Sequence, residues 1–268
     1  MRIGAFFGWL GYYLASARRH IVEVNINLCF PELEPAQQNI LVRKIFRSTG
    51  IGIIETALAW LRDPRDYRPL CKIRGKEILE AAIKEGKGVI LLGMHFSTLD
   101  LMGAVVSTIA PIDVMYRKNK NQLFDHLMKT HRGKNFDMVI NRDDIRSVIR
   151  RLKSGHVVWY GGDQDYGPKH SVFAPFFGIQ TATITATARF AKITGAPIVL
   201  INHYRNSDDS GYEIEFSRPL DDFPSGDQVL DATRINQLVE ASVRKCPEQY
   251  WWLHRRFKTR PEGESRPY

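Results

Sequence analysis

Residues 89–110 read VILLGMHFSTLDLMGAVVSTIA, and this stretch decides the architecture. The run from Val89 to Leu92 is apolar without alternation, as in a strand buried on both faces. Residues 97–110 then have the composition of a helix, with Ser97 or Thr98 as its N-cap and Pro111 as its stop. Working outward, IDVMY (112–116), DMVIN (137–141) and HVVWYGG (156–162) read as further strands. Helices are expected at 121–132 and 143–153 between them. A helix at 181–194, strands at 197–204 and 212–220, and a helix at about 227–245 follow. Helix-length segments between strands define an α/β fold with a mostly parallel central sheet flanked by helices. The final two strands are the ones expected to pair differently. Upstream, residues 36–62 read as one helix or two, broken near Gly50 and Gly52, and residues 76–85 as another ending at Gly86.

The chain has 268 residues, 44% hydrophobic and 25% charged, which excludes a disordered polypeptide. No run of about 18 uncharged apolar residues is present, so no complete membrane span is encoded. Cys29, Cys71 and Cys246 lie far apart with no CxxC pair, which suggests neither a disulfide framework nor zinc. The formal net charge of +9 implies acidic partners without choosing among nucleic acid, phospholipid, phosphorylated substrate and acidic protein.

Residues 1–20 combine an apolar, aromatic stretch with a basic end at Arg18, Arg19 and His20. Ile3, Phe6, Phe7, Leu10, Tyr13, Leu14 and Ala17 fall near helical spacing. Two readings stand: a helix lying on a bilayer, or an amphipathic helix packed on the domain. The expected division is a membrane-associating helix over 1–25 and one domain over 26–268.

The chemistry gathers where strands end. His95 closes the first strand and Asp100 lies one turn into the next helix. A strand–turn–helix can bring them together, with the carboxylate fixing the imidazole tautomer and leaving Nε2 as a base. The loop after Trp159-Tyr160 carries Asp163 and Asp165, which can bind a cation, orient a substrate or be solvated turn carboxylates. Arg117, Lys118, Asn119, Arg132 and Arg142 follow predicted strands or helices on the same sheet edge, and arginine suits phosphate and carboxylate. The C-terminal stretch from Pro247 to Arg260 interleaves aromatic and basic residues, as nucleic-acid and lipid-phosphate binders both do, but no nucleic-acid module accompanies it.

Taken together, Asn27-Leu28-Cys29-Phe30-Pro31, His95-x4-Asp100, Tyr116-Arg117, the Asp163-to-Pro168 loop, Pro175-Phe176-Phe177-Gly178 and Pro247 through Pro261 resemble the lipid A biosynthesis late acyltransferases. The resemblance covers nearly the whole chain. It implies transfer of a fatty acyl group from acyl-acyl carrier protein to a hydroxyl of a Kdo-bearing lipid A precursor, at the cytoplasmic face of the inner membrane. It implies no metal or organic cofactor, and nucleic acid is not an expected partner. His95 is the expected base, Asp100 its partner, and Arg132 and Asp163 match family site positions. Arg117, Lys118, Asn119, Arg142 and Asp165 are the expected substrate contacts. Asp100 stands where the lauroyl branch usually has glutamate. Members usually begin with a membrane-spanning helix, which residues 1–20 are too short to form. Two alternatives remain open: a related glycerolipid or glycolipid acyltransferase, and a basic membrane- or nucleic-acid-binding protein without catalysis. The latter accounts for the charge but not for histidine, carboxylates and arginines collecting at successive strand ends.

Overall fold

The computed structural model describes residues 1–268. Two helices come first, α1 (Arg2–Leu14) and α2 (Ser16–Cys29), followed by the long α3 (Pro35–Leu61). A 3-10 segment, Pro64–Leu70, leads into β1 (Cys71–Arg74), α4 (Lys76–Lys84) and β2 (Val89–Leu92). Next come α5 (Leu99–Ser107), β3 (Ile112–Tyr116), α6 (Gln122–Asn135), β4 (Met138–Asn141), α7 (Ile145–Lys153) and β5 (Val157–Tyr160). The chain ends with β6 (Ser171–Phe176), β7 (Ile179–Ile184), α8 (Ala186–Thr194), β8 (Ile198–Arg205), β9 (Tyr212–Phe216), α9 (Gln228–Lys245) and an ordered tail.

Seven strands form one sheet in the order β1-β9-β8-β2-β5-β3-β4. The pairs among β8, β2, β5, β3 and β4 are parallel, and β9 turns back antiparallel to β8. The mostly parallel sheet expected from the alternation is therefore present, with the last two strands as the exception. Successive side chains on a strand point to opposite faces, and β2 feeds two cores accordingly. Ile90 and Leu92 join the core beneath α3, α7, α8 and α9, while Val89 and Leu91 join the core beneath α4 and α5.

Two local expectations fail for identifiable reasons. Residues 181–184 are the end of β7, not the start of a helix; β6 and β7 pair across Phe177-Gly178, both at positive φ, as a two-residue hairpin turn requires. The run from Ile179 to Ile184, rich in β-branched Ile and Thr, suits that strand. Residues 1–20 form two helices, because the backbone breaks at Ala15. The second of them, α2, buries Val22, Asn25 and Ile26.

Gly50 and Gly52 do not break α3, which runs through both. Their lack of a side chain serves close approach instead. A Cβ on Gly50 would lie 2.2 Å from the Gly4 carbonyl oxygen, so α1 crosses α3 nearly backbone to backbone. A Cβ on Gly52 would lie 2.6 Å from the Ser97 carbonyl oxygen, in the loop that carries His95. Helix propensity favours alanine over glycine by about 1 kcal/mol. Overpacking against backbone costs about 1–3 kcal/mol and outweighs it. Gly50→Ala is therefore expected to destabilise the protein in urea unfolding, and a stabilised variant would contradict the crossing.

Candidate active site

β2 and β5 are parallel neighbours, with Leu92 paired to Tyr160. His95 and Asp163 each lie three residues beyond that pair, at the carboxyl ends where open α/β sheets place their sites. Adjacent strands are about 4.8 Å apart, so the two side chains meet. His95 Nδ1 is 2.6 Å from Asp163 Oδ1, and the His95 backbone N–H donates to Oδ2 at 3.0 Å. With Nδ1–H donating to the carboxylate, Nε2 is left with its lone pair free. The Asp163 side chain is 1% exposed and the His95 side chain 25%. Burial alone would lower the His95 pKa, but the Asp163 charge and hydrogen bond outweigh it and raise it above the usual histidine value. Burial likewise works against ionisation of Asp163, yet the histidine holds its pKa down to about 2.

The carboxylate at His95 is thus Asp163 and not Asp100. Asp100 lies in the first turn of α5, turned toward α6. Its Oδ1 accepts from Arg132 Nε at 3.1 Å and Nη2 at 2.7 Å, while the Thr56 hydroxyl donates to Oδ2 at 3.2 Å. Asp100 fixes the guanidinium rather than the imidazole. Thr98 does not cap α5 with its side chain; its hydroxyl is hydrogen-bonded to His203 Nδ1 at 2.8 Å. Burial and the nearby His95 hold His203 down to about 4, so it is neutral.

His95 lines three spaces at once. The first is a mainly apolar cavity walled by Leu99, Gly103, Val114, Phe136 and Trp159, with Arg117 and Arg132 also on its lining. The second is mixed, with Met115, Ile145 and Phe190 on its wall beside Arg117, Arg142 and Lys169. The third opens past Ile53, Thr56 and Trp251. The ring itself is held by Trp159, edge-on at 5.7 Å between centroids, and by the backbone of Gly161. A Cβ on Gly161 would lie 2.8 Å from His95 Cε1.

Other expected contacts lie elsewhere. The Asp165 carboxylate is consumed by the tail, accepting from the Thr259 N–H at 2.8 Å and the Thr259 hydroxyl at 3.0 Å, and it does not face His95. Asn119 braces the start of α6, accepting from the Asn121 N–H and donating its own N–H to Asp125. Lys118 is exposed and lines none of the three spaces. Within the aromatic and basic tail, Trp252, Arg256 and Phe257 are buried, and Arg256 donates to the Ala182 carbonyl at 2.8 Å. These three residues serve the core, while Arg255 and Lys258 of the same stretch stay exposed.

That tail also builds the site. The Ser97 N–H donates to the Gln249 carbonyl at 2.7 Å, and the Trp251 N–H donates to the His95 carbonyl at 2.9 Å. Beneath the loop, Arg205 and Glu55 form a buried bidentate pair at 2.8 and 2.6 Å, with the Tyr212 hydroxyl donating to Glu55 at 2.8 Å. Near the start of β3, Asp113, Asp137 and His156 bring three donors close together. Both oxygens of Asp113 already accept from Arg151, which makes this an ion-pair network.

The geometry defines a class of site: a carboxylate-locked histidine with Nε2 free, opening onto an apolar cavity and onto a second space that carries Arg117, Arg142 and Lys169. Comparison with known proteins is consistent with it. A family model described as bacterial lipid A biosynthesis acyltransferase matches residues 1–259. The chain is 37% identical to the lipid A biosynthesis lauroyltransferase of Escherichia coli K12 over 268 residues, covering 100% of this chain and 88% of that protein. It is 33% identical over 267 residues to the palmitoleoyltransferase of the same organism, covering 99% and 87%. It is 31% identical over 269 residues to the myristoyltransferase, covering 100% and 82%. The chain belongs to the bacterial lipid A biosynthesis acyltransferase family and is an acyltransferase.

Because Asp163 is what raises His95, Asp163→Asn is expected to lower the imidazole pKa below the wild-type midpoint, since burial then acts unopposed. NMR titration of the His95 Hε1 resonance reads this directly. An unchanged midpoint would contradict the pairing.

Proposed function

We propose that the protein transfers a fatty acyl group from an acyl-acyl carrier protein thioester to a hydroxyl of a Kdo-bearing lipid A precursor, with His95 as general base. Nε2 takes the proton of the acceptor hydroxyl as its oxygen attacks the thioester carbonyl carbon. The Arg132 guanidinium, fixed by Asp100, stabilises the negative charge on the carbonyl oxygen. Collapse of the tetrahedral adduct breaks the carbon–sulfur bond, and the imidazolium returns its proton to the departing thiolate. No residue is acylated in this sequence. Asp163 stabilises the imidazolium and holds the tautomer.

The observation that carries this reading is the position of His95 at the junction of the three spaces with Nδ1 committed to Asp163. The apolar cavity suits an acyl chain, and Arg117 and Arg142 suit phosphate or carboxylate groups of the acceptor. A further basic groove with Arg18, Arg255 and Lys258 opens beside Trp251, and with the +9 charge it favours an acidic carrier protein.

The acceptor is a lipid, and α1 offers a surface for reaching it. Ile3, Phe6, Phe7, Trp9, Tyr13 and Leu14 are 47–74% exposed, while Gly4 and Gly8 face α3. Exposed Ile53 lies within one turn of the crossing and lines the third space. No helix is long and apolar enough to cross a membrane. We read this face as lying on the cytoplasmic surface of the inner membrane, with basic residues at anionic head groups.

His95→Ala is expected to lower kcat/KM by on the order of 10²–10⁴-fold with acyl-acyl carrier protein and lipid A precursor. Wild-type turnover in that variant would refute the base. The wild-type rate should fall with decreasing pH through the raised His95 pKa, because a protonated Nε2 accepts no proton. Asp163→Asn should move that limb to lower pH, and Asp100→Asn should leave it nearly in place while slowing turnover. In flotation assays, Phe6→Asp with Trp9→Asp should reduce recovery with anionic phospholipid vesicles; undiminished recovery would remove α1 as the contact.

A further inference from the structure

We propose that the Phe136 ring is the end wall of the apolar cavity and, with Gly103 opposite it, sets the length of acyl chain the enzyme accepts. The inference rests on reading that cavity as the acyl subsite. The cavity runs between α5 and the sheet, starting at His95. Leu99, Gly103 and Val106 line it along one face of α5, a span of about 10 Å at 1.5 Å per residue. Tyr116, Val114 and Ile112 line it along β3, a span of about 13 Å at 3.3 Å per residue. The far end is therefore at Val106 and Ile112.

Phe136 follows α6 and is brought to that end by the chain entering β4. The next residue, Asp137, donates its N–H to the Ile112 carbonyl at 2.9 Å. Phe136 lines two spaces at once. On one side it lines the cavity, and on the other it lines an open surface groove formed by residues 107–111 and Lys134. Phe136 thus stands between the chain cavity and solvent, with its ring on the Gly103 side. Across from it, Gly103 leaves the room that the ring occupies: a Cβ there would sit 3.3 Å from Phe136 Cζ and 3.8 Å from Cε1. Removing the ring joins the cavity to the groove and lengthens the path. Adding a methyl at Gly103 narrows the same end from the helix side. A chain that fits short of the ring is unaffected by either change, whereas each methylene forced against the wall loses its burial.

The test uses the full chain, a lipid A precursor as acceptor, and a series of saturated acyl-acyl carrier protein donors of increasing even chain length. The readout is the ratio of kcat/KM for donors two carbons longer and two carbons shorter than the one preferred by wild type. This ratio does not depend on the fraction of folded enzyme. Phe136→Ala is expected to raise the ratio at least about tenfold, the worth of roughly two buried methylenes. Gly103→Ala is expected to lower it. If Phe136→Ala fails to fold, Phe136→Leu reads the same ratio with a smaller rise. Active Phe136 variants with an unchanged ratio would overturn the end wall while leaving the acyl-transfer reading intact. Wild-type enzyme that transfers no member of the series would instead overturn that reading.

Discussion

The register between β2 and β5 governs the site. Pairing Leu92 with Tyr160 puts His95 and Asp163 at equal offsets past two adjacent parallel strands, and a 2.6 Å contact follows. A one-residue slip would turn every side chain of one strand to the other face, sending Ile90 and Leu92 out of one core and separating the pair. The hydrophobic pattern that holds the sheet together therefore also fixes the distance on which the chemistry depends. The two cores on either face of β2 supply the rigidity that a buried, charged pair demands.

The loop between β2 and α5 has little secondary structure of its own and is held from outside. Gln249 and Trp251 bond its backbone from the tail, and Gly52 of α3 touches it from below. The Arg205–Glu55 pair adjoins the same loop through Ser48 and Ser97, whose hydroxyls are 2.8 Å apart. Removing one member of such a buried pair costs about 3–5 kcal/mol, because the other charge is left uncompensated. The tail and α3 thus belong to the site's support as much as to the fold. The pair of carboxylates divides the work: Asp163 acts on the imidazole and Asp100 on the guanidinium.

Much of this was legible in the sequence, and the failures share one physical cause. Apolar runs at 89–92, 112–116 and 157–160, separated by helix-length segments, announced the parallel sheet, and strand ends marked His95 and Asp163. What local spacing cannot deliver is which distant residue arrives opposite. His-x4-Asp pointed to the nearest carboxylate, while the one in contact lies 68 residues away and depends on strand register. Glu55 and Arg205 are 150 residues apart and carried no signal at all. Charge judged without burial also hides which tail cations belong to the core: Arg256 lies over the Phe176 ring there, while Arg255 and Lys258 stay exposed. Gly50 and Gly52 read as helix breakers because their contacts with α1 and the His95 loop are tertiary.

The most direct measurement is a double-mutant cycle on kcat/KM with His95→Gln and Asp163→Asn. Asp163 works only through the imidazole in this account, so the double variant should be about as slow as His95→Gln alone. Losses that multiply in the double variant would show the two residues acting independently, and would contradict the pair as the source of the base.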